Sequence, residues 1–192
     1  MKTEQCLDLL ATLLASASVL APEKTPLHRS AESVLVMARA YESDGRTFLI
    51  SGDAVNALAS AWYGSGWLHF GIMYGLLETT GQPAGCPFLS PCESLPPSFA
   101  EKLAEKTRRY QRLLDTARAS VKCAGEPATA VCQFSENVLF TATLYAAQGT
   151  RYLSAGTYED ALACFSYGHG WLDAGVTAGL FVITGNHDLF TV

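Results

Sequence analysis

His169 and Asp173, four residues apart, are the pair in this chain best placed to do chemistry. At helical spacing they share one face, where an imidazole and a carboxylate could hydrogen-bond to each other or both ligate a metal ion. Two ligands do not make a zinc site, and no His-x-x-x-His or Glu-x-x-His spacing supplies the others. The preferred reading is a pair satisfied beside the core that fixes helix packing, with no metal and no cofactor. Tyr167 and Trp171 flank the pair, and a shift of 104 residues places Tyr63, Trp67 and His69 at the corresponding positions. These aromatics read as core or interface residues, with an aromatic ligand pocket as the sharper alternative. Trp62 falls on the opposite face, as an exposed anchor for a partner.

Other candidate chemistry is sparse. Cys86 and Cys92 lie close enough in sequence for a loop disulfide, and Cys123 and Cys132 could complete four thiolates, but the spacings are poor for a zinc ribbon. No Gly-x-Ser-x-Gly elbow, phosphate-binding Gly-x-x-x-x-Gly-Lys loop or dinucleotide fingerprint occurs. The small helical HEPN nucleases need an arginine shortly before a histidine on one helix, and Arg151 and His169 stand too far apart. No catalytic residue is assigned. Lys102, Lys106, Arg108, Arg109, Arg112, Arg118 and Lys122 put seven of the thirteen basic residues on one helix. Glu101, Glu105 and Asp115 offset them, so a solvated face is the first reading and a contact to RNA or another anionic partner the second.

The elements that position these residues come from a duplication. At the 104-residue shift, 17 of the 41 positions from 41 to 81 are identical with those from 145 to 185. Leu9 and Leu10 fall on Leu113 and Leu114, which extends the repeat to about 80 residues, too long and too few in number for a solenoid. The chain divides into a first copy at 1–81, a proline-rich linker at 82–98 and a second copy at 99–192. The linker holds five of the eight prolines, and proline breaks any helix through it. Ser98 and Glu101 have the spacing of a capping box and predict a helix start near Phe99.

Each copy reads as three helices: residues 3–20, 26–51 and 54–80, then 99–124, 128–155 and 158–184. Gly52 and Gly156 suit the left-handed ends of the second helices, with Asp53 and Thr157 as caps of the third. Gly81 and Gly185 are expected to stop the third helices. Strand signals are weak. The fold class is all-α, two three-helix bundles packed about a pseudo-twofold axis. Residues 54–77 lack Asp, Glu, Lys and Arg, long enough for a membrane span. Glu159, Asp160 and Asp173 in the aligned copy argue instead for a central bundle helix. On that helix Gly64, Gly71 and Gly75 form one stripe, as do Gly168, Gly175 and Gly179, and the third helices are expected to cross face to face there.

The run Gly156-Thr157-Tyr158-Glu159-Asp160-Ala161, followed by Ser166-Tyr167-Gly168-His169-Gly170-Trp171-Leu172-Asp173-Ala174-Gly175, resembles the archaeal domain of unknown function family 357, here as a tandem duplication. The resemblance implies an archaeal cytoplasmic protein, a three-helix fold and no established activity. The first copy departs from it, with Ser65 at the position of His169 and His69 at that of Asp173. Gly-x-Tyr-x-x-Ala at 156–161 is also similar, over a short match, to tetratricopeptide hairpins.

A net charge of -5 and a pI near 5.3 argue against wrapping nucleic acid or an anionic membrane. Hydrophobic residues at 49% against 16% charged exclude a disordered chain. The start, interrupted by Glu4 and Asp8, reads as an amphipathic helix and not a signal peptide, so a cytoplasmic setting is expected. The expected role is a helical scaffold or interaction module that binds a protein partner or itself, with a small-ligand or metal site at the His169/Asp173 face as the alternative.

Overall fold

The structure, a computed structural model, describes residues 1–80, 87 and 91–191. Residues 82–86 and 88–90 of the expected linker, Cys86 among them, lie outside the described residues, as does Gly81. The first copy forms α1 (Thr3–Ser16), α2 (Pro26–Ile50) and α3 (Ala54–Met73). The second forms α4 (Ala100–Ala119), α5 (Ala130–Ala155) and α6 (Tyr158–Thr177).

Local chemistry sets the boundaries of α2, α3 and α5. Thr25 and Thr129 accept the His28 and Cys132 N–H groups at 3.1 and 3.2 Å, which starts α2 and α5 identically. Gly52 and Gly156 end those helices at φ +78 and +81, a conformation that costs a residue with a Cβ about 1–2 kcal/mol. Asp53 then caps α3 by accepting Asn56 N–H at 3.2 Å. Thr157 makes no such bond. Nor does Ser98 cap α4: a single 3-10 turn at Pro97–Phe99 leads into that helix, and its N-cap is Phe99 without a side-chain bond.

The third helices are shorter than the sequence suggests. They end at Met73 and Thr177, and the chain reverses at Gly75 and Gly179, both near φ +75. Leu76 N–H returns to Gly71 C=O at 2.9 Å and Leu180 N–H to Gly175 C=O at 3.0 Å, closing a glycine-terminated helix end. The residues beyond form strands. β1 (Ser18–Val19) pairs antiparallel with β2 (Leu77–Glu78), and β3 (Val121–Cys123) pairs with β4 (Phe181–Ile183). The first helices therefore stop earlier too, α1 at Ser16 and α4 at Ala119. An apolar run too short to show its own period had hidden the change from helix to strand.

α3 and α6 form the centre and make the most extensive contact in the molecule; α1 and α2 flank one side, and α4 and α5 the other. Nearly every side chain from Val55 to Gly71 and from Ala161 to Val176 is buried, which is why α3 tolerates no charge. One continuous hydrophobic core joins the two copies, and each fully buried Leu or Phe contributes about 1.5–3 kcal/mol. No helix among the described residues is long and apolar enough to cross a membrane.

Candidate functional site

The two central helices cross at Gly66 and Gly170. A Cβ on Gly66 would lie 2.5 Å from the Tyr167 carbonyl oxygen, and one on Gly170 would collide in the same way with the Tyr63 carbonyl oxygen. Each interior helical glycine costs about 1 kcal/mol relative to alanine, and at this pair the backbones touch. The expected stripe lies elsewhere. Gly64 and Gly168 face Tyr41 and Tyr145 on the second helix of their own copy, while Gly71 and Gly175 face Leu77 with Val34 and Phe181 with Val138. Gly75 and Gly179 are the turn residues, with open space around them. A glycine stripe identifies close approach but not the neighbour that approaches.

Because the crossing is pseudo-twofold, it brings the candidate side chains together across the copies. Tyr63 Oη donates to Asp173 Oδ2 at 3.0 Å, and Tyr167 Oη sits 2.8 Å from His69 Nδ1. Tyr63 corresponds to Tyr167, and His69 to Asp173, so these are two halves of one symmetric exchange. Tyr41 and Tyr145 back the two tyrosines, each with ring centroids 4.5 Å apart. Trp67 and Trp171 are buried, Trp171 packing edge-on to Phe70. Trp62, expected on the surface, is 1% exposed and stands edge-on to Tyr167.

Asp173 is fully buried and does not bond to His169. Besides Tyr63 it accepts Thr191 N–H at 2.8 Å on Oδ1 and Thr191 Oγ1–H at 2.5 Å on Oδ2. The His169 ring packs on Tyr63, centroids 5.3 Å apart, and neither ring nitrogen has a partner of hydrogen-bonding geometry. Burial lowers the His169 pKa, against the pull of the Asp173 charge and the Leu189 backbone toward protonation. Burial likewise lowers His69, to about 4. Tyr63 is raised well above the usual phenol value and Tyr41 to about 12, in both cases by burial first and then by the Asp173 charge. Both histidines are thus neutral at pH 7, and the tyrosines keep their protons. Beside His69 a cavity of about 10 Å³, lined by Cys6, Trp62 and Ser65 among others, has the size of one water molecule.

Some participants were missed. Gly66 and Gly170 recur in both copies, a signal that was present but fell outside the stripe. Thr191 carries no motif and reaches Asp173 only through the fold of the chain after β4. Glu159 and Asp160 have a use at the first turn of α6, where they accept the Leu95 and Cys92 N–H groups, both at 2.7 Å. The same segment is held by Met1, whose amino group donates to Pro91 C=O and whose carbonyl accepts Glu93 N–H. Among the described residues no three of His, Cys, Asp and Glu gather as a metal site.

The architecture is therefore an internally duplicated all-α fold with a buried, pseudo-symmetric polar crossing. The family model for a protein of unknown function, DUF357, matches it twice, over residues 7–77 and 109–181. Together these stretches cover well over half of the chain, which belongs to that family. No curated protein and no solved structure matches the chain.

Proposed function

We propose that this protein is a non-catalytic interaction module, in which the tyrosine exchange locks the two copies in register and an outer helix recruits a protein partner. The observation that carries the reading is a contrast in exposure. Asp173 is fully buried with its carboxylate already accepting three hydrogen bonds, whereas Phe140 on α5 is 67% exposed and Leu144, one turn on, is 44% exposed. A general base needs reach to a substrate proton, while an aromatic and a leucine on one solvent face suit a partner. The corresponding positions on α2 are Val36, also exposed, and Ala40. The test is affinity purification from the native cell with wild type and a Phe140→Ser, Leu144→Ser variant, alongside sedimentation of each. Loss of one specific partner, or of self-association, with unchanged thermal stability is expected. Identical associations for both proteins would refute the assignment to this face.

A second reading follows from His169, whose buried ring nitrogens have no partner of hydrogen-bonding geometry and only the pull of the Leu189 backbone. A small ligand or metal ion then binds at the His169/Asp173 face after residues 187–191 lift away. Zinc added to wild type and to His169→Ala tests it: the reading requires a thermal shift in the first that is lost in the second.

A further inference from the structure

Away from the central crossing, the start of α5 brings two thiols together. Cys123 ends β3, and Cys132 lies in the first turn of α5, its N–H held by the Thr129 cap. Residues 124–129 double the chain back, with Ala128 at φ +65, so side chains nine positions apart meet. Cys132 stands three residues before Ser135 on α5, so its side chain shares the face that Cys123 approaches, and the two thiols influence each other's titration. Cys123 Sγ also lies 3.4 Å from Ser135 Oγ, one turn along α5, and 3.4 Å from the Gly125 carbonyl. Ser135 is buried and anchored to the Val131 and Leu180 carbonyls at 2.7 and 3.1 Å. Both cysteines are half-buried, within reach of a small solute.

The first copy shows that this backbone does not require thiols. There Val19, His28 and Ala31 take the places of Cys123, Cys132 and Ser135, and Lys24 has the same φ of 65 as Ala128. His28 Nδ1 fills the space by bonding to Ala21 C=O at 3.0 Å. With no third ligand gathered among the described residues, two neighbouring thiols suit bond formation with each other better than a tetrahedral metal.

We propose that Cys123 and Cys132 form a reversible intramolecular disulfide by exchange with a low-molecular-weight disulfide of the glutathione type. Cys123 thiolate attacks one sulfur of that disulfide, forming a mixed disulfide and releasing one thiolate. Cys132 then loses its proton and attacks the Cys123 sulfur, which closes the protein disulfide and expels the second thiolate. The protein dithiol is oxidised, the small disulfide is reduced, and two small thiols leave with the two protons. The contacts divide the labour. The neighbouring Ser135 and Cys132 side chains lower the Cys123 thiol below its usual value, while the nearby Cys123 raises Cys132 to about 11 and keeps it protonated until it resolves the adduct. Closure ties the β3–β4 ribbon to α5.

Full-length reduced protein, treated with excess oxidised glutathione, alkylated and mapped by mass spectrometry, provides the test. Wild type is expected to yield a Cys123–Cys132 crosslink and no lasting adduct, whereas Cys132→Ser keeps one glutathione on Cys123. In Cys123→Ser the adduct on Cys132 should form about tenfold more slowly or worse. The proposal falls if wild type retains both thiols, keeps the Cys123 adduct as the serine variant does, or pairs either residue with a different cysteine. The wild-type map decides even if a variant fails to fold.

Discussion

Tyr63 and Tyr167 make the same move at the central crossing, each reaching from its own copy to the other, and meet different chemistry. Tyr167 finds a neutral histidine, His69, in a half completed by Ser65 and Cys6; Tyr63 finds a buried carboxylate, Asp173, held in addition by Thr191. The backbone contact beneath them is the same in both directions, glycine against a tyrosine carbonyl. Duplication thus preserved what sets the distance between helices and released the side chains that fill it. The ribbons show the same division, with one backbone carrying Val19 and His28 in the first copy and Cys123 and Cys132 in the second.

The largest effect should come from the shared part. Gly66→Leu or Gly170→Leu drives a side chain into a carbonyl that cannot move without shifting a central helix, and is expected to cost about 3 kcal/mol or more in urea unfolding. Gly52→Ala, at positive φ but with open space around it, should cost only about 1–2 kcal/mol. Equal losses would deny the crossing its special place.

The differing halves come next. Asp173→Ala leaves the Tyr63 hydroxyl and two Thr191 donors without their acceptor, an expected loss of about 2–3 kcal/mol, whereas His69→Ala removes a single hydrogen bond to the Tyr167 hydroxyl and should cost about 1–2 kcal/mol beyond its lost packing. A reversed order in denaturant titrations would overturn the asymmetry. Acid acts on the histidines. His69, near 4 in the folded protein and 6.5 when unfolded, binds a proton first in the unfolded chain. Stability is therefore full above pH 6.5, falls as pH drops toward 4, and loses at most about 1.4 kcal/mol per pH unit from this residue. His69→Gln should flatten that slope, and an unchanged slope between pH 6.5 and 4.5 would show that His69 is not kept neutral.

The smallest stability change belongs to the surface. Phe140→Ser with Leu144→Ser on α5 should shift unfolding by no more than about 0.5 kcal/mol per site, while removing the partner. A large destabilisation would mean that these side chains pack internally in solution.

The duplication, the all-α class and the order of six helices were legible because they rest on local rules: repeated residues at a constant shift, threonine caps, and glycines that end α2 and α5. The position of the crossing was not. Both stripe glycines and crossing glycines look alike in sequence, since a missing Cβ marks only that something comes close. His169 and Asp173 were legible as neighbours on one helix face, yet Asp173 takes its partners from Tyr63 and Thr191, 110 and 18 residues away. The end of the third helix was misread because Leu76 and Leu77 continue an apolar run, and only pairing with β1 makes Leu77 and Glu78 a strand.

By itself, then, the sequence determined the repeated helical unit and the apolar character of its central helix, since backbone capping and side-chain hydrophobicity act over a few residues. Tertiary structure alone decided which glycines touch, which tyrosine meets the carboxylate and which two thiols face each other. Those are pairings between distant segments, and their geometry exists only once burial has brought the two copies onto one core.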